Sequence, residues 1–236
     1  MKEAILKDDK TNEQVITNSQ SIARLSLAAS VGSLLSLGAL HILSPEFSPS
    51  WRMVSEYANG QYGWVLAMMF AFWAISTWAL AYAIWSRVKT VGGKIGLVFL
   101  VAAGVGEAMG GLFDINHPLH GLSALIGIGS LPIAAMLISV SLSHTQPWSD
   151  VRKSLLWTAN LTWISVLLMA ATFAILFVTF TQAGGEMPAE GTIAATLPPG
   201  VIALVGWANR FLVIVYNAWV MTVAWRVASI NSIHSN

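Results

Sequence analysis

The chain has 236 residues, of which 56% are hydrophobic and only 10% charged, whereas an ordinary soluble domain is about 25% charged. The net charge is +1, and there is no cysteine. This balance excludes a disordered chain, a basic nucleic-acid-binding domain and an ordinary soluble enzyme. The missing thiols exclude a disulfide scaffold, thiolate metal sites, a cysteine nucleophile and a covalent c-type haem.

Taken in chain order, residues 1–21 are polar, with acids among the lysines, and read as a cytoplasmic segment rather than a cleaved leader. Apolar stretches follow, each long enough for a membrane span of about 20 residues. They predict an all-α integral membrane protein. Its transmembrane domain covers 22–228, with six helices at 23–43, 62–86, 93–113, 119–143, 154–181 and 200–226. A cytoplasmic tail, 229–236, closes the chain. Between helices 5 and 6, residues 182–199 contain Gly184, Gly185, Pro188, Pro198 and Pro199 and read as an irregular outer loop. Barrel strands are excluded, because they alternate in polarity over about 10 residues.

The basic residues orient these spans. Lys2, Lys7, Lys10, Arg24, Arg87, Lys89, Lys94, Arg152, Lys153 and Arg226 fall on one side; Arg52 alone falls on the other, and Arg210 lies inside helix 6. An excess of Lys and Arg marks the cytoplasmic side, so both termini are expected there. Trp51, Tyr57, Tyr62 and Trp64 are expected to anchor the outer interface, and Trp85, Trp148, Trp157 and Trp225 the inner one. Trp73, Trp78 and Trp163 read as core. Gly96, Ala103 and Gly110 recur every seven residues, with Gly106 and Gly110 as a small-xxx-small pair, so helix 3 is expected to be central. Pro132 removes a backbone donor within helix 4.

Two ionisable residues fall within spans, where charge is costly and points to function by default. Glu107 lies about 9 Å from the outer end of helix 3, and Arg210 about 15 Å from that of helix 6, at 1.5 Å per residue. They are expected to form a buried charge pair. A second constellation collects at the outer surface: His41, Glu46, Ser55, Glu56, Asn59, Asp114, Asn116, His117 and His120. His144 and His234 sit on the inner side and read as solvated. The outer cluster admits an interfacial cap that satisfies turn amides, a metal site using His41, His117 or His120 with carboxylates, or haem with axial His41 and His120. Neither metal nor haem is the favoured reading, and the cofactor stays open.

Two stretches carry a resemblance. "HILSPEF" followed by "SEYANGQYGWVLAMMFAF", and later "GVGEAMGGLFDINHPLHGLSALIGIGSLPIAAML", resemble the family known as domain of unknown function 998, small and mostly bacterial polytopic membrane proteins. The matching positions are His41 with Pro45, Ser55, Glu56, Tyr57, Ala58 and Gly60, then Tyr62, Gly63 and Trp64, then Gly111, Phe113, His120, Gly121 and Leu122. The family pattern Phe-Pro-x-Asp is replaced here by Phe113-Asp114-Ile115-Asn116, so its acid is either moved to Asp114 or replaced by Asn116. The resemblance implies a membrane fold, set in a bacterial inner membrane, and names no activity. It favours His41, Glu56 and His120 over the pair His117 and His120.

The functional expectation is a protein that binds or passes a small ligand through an outward-facing pocket lined by His41, Glu56, Asp114 and His120. The alternatives are a metal-dependent hydrolase acting on lipid, in which a carboxylate activates water, and a structural or assembly partner. The lipid bilayer is the expected surrounding, no nucleic acid is expected as a partner, and the oligomeric state is open. A transporter would show an inverted repeat or matching broken helices, and neither is present in the sequence.

Overall fold

The computed structural model describes residues 2–185 and 196–230, with side chains from residue 17 onward. The expected loop 182–199 and tail 229–236, with His234, therefore lie partly outside the described residues, as do the side chains of Lys2, Lys7 and Lys10. The chain forms six long helices: α1 (Lys2–Leu43), α2 (Gly63–Ile84), α3 (Val91–Leu112), α4 (His120–Ser143), α5 (Arg152–Gln182) and α6 (Val205–Ser229). Two short 3₁₀ segments, Val54–Asn59 and Gln146–Val151, sit in the α1–α2 and α4–α5 connections. All six helices are long and apolar enough to cross a membrane, in α1 from Thr17 onward. This is the architecture of a multi-pass integral membrane protein. In lipid every backbone polar group must be satisfied within the chain, and helices do so without partners.

Successive helices pack side by side and antiparallel, and α6 returns to α1 to close the ring, with α2 also touching α6 across the interior. Lipid offers little apolar driving force, so close approach and interhelical hydrogen bonds hold the ring. Between α1 and α2 the glue is serine. Ser30 and Ser76 hydroxyls are 2.6 Å apart, Ser26 donates to the Ser76 carbonyl and Ser76 to that of Ser26, and Ser19 donates to the Ala83 carbonyl. Between α3 and α4 it is the absence of side chains. A Cβ on Gly106 would overlap the Gly127 amide, and one on Gly96 would meet Ile138 at 2.9 Å. Gly110 instead faces Phe70 of α2, so Gly106 and Gly110 serve different neighbours rather than one seam.

Pro132 lies within a continuous α4. The donor it lacks would have met the Ile128 carbonyl four residues back; the Tyr216 hydroxyl of α6 donates to that carbonyl instead, at 2.7 Å. Further along, Trp219 donates to the Ser139 hydroxyl.

Three expectations need correction. The most enclosed helix is α6, with 61% of its span buried against 44% for α3, because it contacts the ring and its interior at once. Among the aromatics, Tyr57 and Trp148 are buried inside the protein rather than exposed as anchors, and of the three expected in the core Trp73 is buried whereas Trp78 and Trp163 are exposed. Finally, α6 begins at Val205, since Gly200 takes a left-handed φ of +86° that suits glycine. Arg210 is therefore five residues from the helix start, about 7.5 Å deep rather than 15 Å.

Candidate functional site

The end of the bundle where α1 stops and α2 begins is covered by the α1–α2 connection, which lies across the start of α6 as a strap. Gly206 permits this. A Cβ there would meet the Pro49 and Arg52 carbonyls at 2.5 and 2.7 Å, and its own amide donates to the Ser50 carbonyl at 3.0 Å. The strap's 3₁₀ segment is held from within by Glu56. One carboxylate oxygen accepts from the Arg52 guanidinium at 2.6 Å and the other from the Met53 amide at 2.7 Å. Two α6 side chains hold it from below. Asn209 accepts from the Val54 amide at 2.8 Å and donates to the Met169 sulfur of α5. A third link, Asn116 donating to Asn59 at 2.8 Å, ties it to the α3–α4 turn.

Arg210 is the second α6 anchor, and it does not pair with Glu107. Its Nε donates to His41 Nε2 at 2.7 Å, one terminal nitrogen to the Arg52 and Gly206 carbonyls at 2.6 and 3.0 Å, and the other to the Tyr57 hydroxyl at 3.0 Å. Four of the five guanidinium N–H groups are thus engaged by neutral acceptors. His41 is oriented by its own helix: Nδ1 lies 2.8 Å from the Leu37 carbonyl and carries the ring proton, leaving Nε2 as the acceptor. Tyr57 is enclosed by Phe47 at 5.2 Å and His41 at 6.0 Å between ring centroids. Among the described residues the two ion pairs are Arg52–Glu56 and Arg226–Asp150, so the expected Glu107–Arg210 pair is not formed. The reason is facing. Arg210 points toward α1 and the strap, while Glu107 lies on the far side of the strap among α2, α3 and α4.

There Glu107 lines a cavity of about 90 Å³. Its walls come from α2 (Phe70, Trp73), α3 (Gly106, Gly110), α4 (His120, Ser123, Gly127) and α6 (Asn209, Tyr216), and Met53, Val54 and Ser55 of the strap roof it. Glu107 is 3% exposed, and neither carboxylate oxygen has a hydrogen-bond partner. Thr77 neighbours it from α2, but that hydroxyl is also buried without a completed hydrogen bond, as is the Trp73 indole N–H. Buried polar groups are nearly always paired, so this concentration sets the cavity apart from the rest of the interior. Three aromatic rings stand around it. Phe70 and Trp73 stack with centroids 6.1 Å apart, and Trp73 meets Tyr216 edge-on at 6.1 Å.

The remaining sequence candidates are scattered. His120 opens α4, half-buried, with Nδ1 3.0 Å from the Phe113 carbonyl, and lines the cavity. Asp114 is exposed and accepts from the Asn116 amide in a turn. His117 is exposed, accepts from the Leu119 amide and stacks on Phe113 at 4.5 Å. His41 belongs to the Arg210 network and lines a separate groove between α1 and α6. Hence His41, Glu56, Asp114 and His120 do not share one pocket, and among the described residues no three His, Asp or Glu side chains gather as metal ligands. Sequence reasoning missed Trp73, Asn209 and Tyr216 as cavity walls. Asn209, a polar residue within an apolar span, was the available signal. At the opposite end, burial holds the Arg87 guanidinium, between α2 and α3, below its ordinary pKa, and its Nε has no hydrogen-bond partner.

No curated protein and no solved structure matches the chain. The family model described as protein of unknown function (DUF998) matches residues 27–226, from the middle of α1 to the end of α6, and the chain belongs to that family.

Proposed function

We propose that this protein binds a small ligand in the cavity beneath the strap. The observation that carries this reading is Glu107, a buried carboxylate lining a cavity with both oxygens unpartnered. An isolated buried carboxylate is costly, and in a membrane span such a group marks a site by default. Binding is favoured over passage, because toward the other end the interior is filled by fully buried side chains, among them Leu80, Leu97, Leu100, Leu131, Ile138 and Trp219.

The strap end faces outward in this proposal, with both termini cytoplasmic in a bacterial inner membrane. What supports it is the basic bias toward the opposite end. The absence of native cysteine makes both claims directly testable. In intact cells, Asn116→Cys at the strap end should react with a membrane-impermeant methanethiosulfonate, and Ser149→Cys at the basic end only after permeabilisation; the reverse pattern overturns the orientation. In detergent, Ser123→Cys, on the cavity wall, should react with methyl methanethiosulfonate, whereas Ser26→Cys, packed between α1 and α2, should not. Equal inertness of the two would refute an accessible ligand cavity.

A further inference from the structure

Resting on the cavity as a small-ligand site, we infer that its ligand carries an ammonium group. Three observations converge. First, an ionised Glu107 offers about four acceptor sites; no completed hydrogen bond fills them, although the Thr77 hydroxyl is a neighbouring donor. Second, among the described residues no cation is placed to fill them. Arg210, the nearest expected partner, spends its donors on His41, Tyr57 and the Arg52 and Gly206 carbonyls, and no Lys or Arg lines the cavity. His120, which does, directs Nδ1 to the Phe113 carbonyl and forms no ion pair with Glu107.

Third, the rings of Phe70, Trp73 and Tyr216 stand around the same space. Aromatic faces attract cations, most strongly when the cation is desolvated. A carboxylate set among aromatic rings is complementary to an alkylammonium, and it disfavours an anion by charge and a neutral isostere by leaving the carboxylate unpaired. The cavity of about 90 Å³ is smaller than the roughly 150 Å³ that accommodates benzene, so the group recognised is compact, such as a short alkylammonium.

The test uses protection of Ser123→Cys from methyl methanethiosulfonate in detergent, with ethylammonium, ethanol and acetate as probes. Ethylammonium should slow labelling at a concentration about 30-fold lower than ethanol, the ratio that about 2 kcal/mol for a hydrogen bond to the charged Glu107 carboxylate corresponds to. Acetate should give no protection. Adding Glu107→Gln, nearly isosteric, should erase the preference for ethylammonium, and Glu107→Asp should retain part of it. If Ser123→Cys labels but ethanol protects as well as ethylammonium, or Glu107→Gln keeps the preference, the ammonium inference fails while the cavity stands. If Ser123→Cys does not label at all, the cavity reading fails and this inference with it.

Discussion

The separation of Glu107 from Arg210 can be measured as a free energy. Arg210→Met removes a guanidinium that binds three groups outside its own helix: the His41 ring, the Arg52 carbonyl and the Tyr57 hydroxyl. Each stranded group costs about 1–3 kcal/mol, and relief of guanidinium desolvation offsets part of the sum, so the variant should lose about 3 kcal/mol. Glu107→Gln breaks no hydrogen bond and removes a charge from an apolar surrounding, so it should change stability by no more than about 1 kcal/mol in either direction. With no shared partner, the two changes should add to within about 0.5 kcal/mol. A buried ion pair behaves differently: losing either partner costs about 3–5 kcal/mol, and the double variant recovers much of it. Arg210→Met combined with Tyr57→Phe supplies the positive control, since those residues touch and should couple by about 1 kcal/mol. Unfolding in mixed micelles followed by tryptophan fluorescence would read all three. A Glu107–Arg210 coupling of 3 kcal/mol or more, on the scale of a buried pair, would refute the assignment of Arg210 to the strap.

Other outcomes follow from the packing. Gly106→Ala should destabilise by about 1–3 kcal/mol through overpacking, because its Cβ meets the Gly127 backbone, whereas Gly127→Ala, with its nearest contact at 3.5 Å, should be far milder; thermal unfolding in detergent separates the two. Tyr216→Phe should cost about 1 kcal/mol by stranding the Ile128 carbonyl, and Pro132→Ala, which restores the helical donor to that carbonyl, should remove most of that cost in a double variant measured the same way. Asp114→Ala and His117→Ala, both exposed turn residues, should shift stability by no more than about 0.5 kcal/mol each and leave labelling of Ser123→Cys unchanged; a loss of labelling would bring them back into the site.

The six spans were legible because the bilayer constrains them twice, by length and by the need to satisfy every backbone group internally. The start of α6 was not, since Val201–Leu204 are as apolar as the helix they precede but follow Gly200 in a left-handed turn. Burial of Glu107 and Arg210 was equally legible, but burial does not say which way a side chain faces, and the backbone carbonyls that satisfy Arg210 have no sequence signature. The family-like residues illustrate the same limit from the other direction. Glu56 caps the strap from within, Tyr57 and His41 receive Arg210, and Gly60 and Gly63 make room at 2.9 Å for Phe47 and the Ala58 carbonyl. These positions build the strap. Of the matched positions, Ser55 and His120 line the cavity, while Glu107 was found from the cost of burying its charge. The recognisable pattern therefore marks the roof over the cavity, and the unpartnered carboxylate on which the proposed site rests lies outside that pattern, singled out by a physical argument alone.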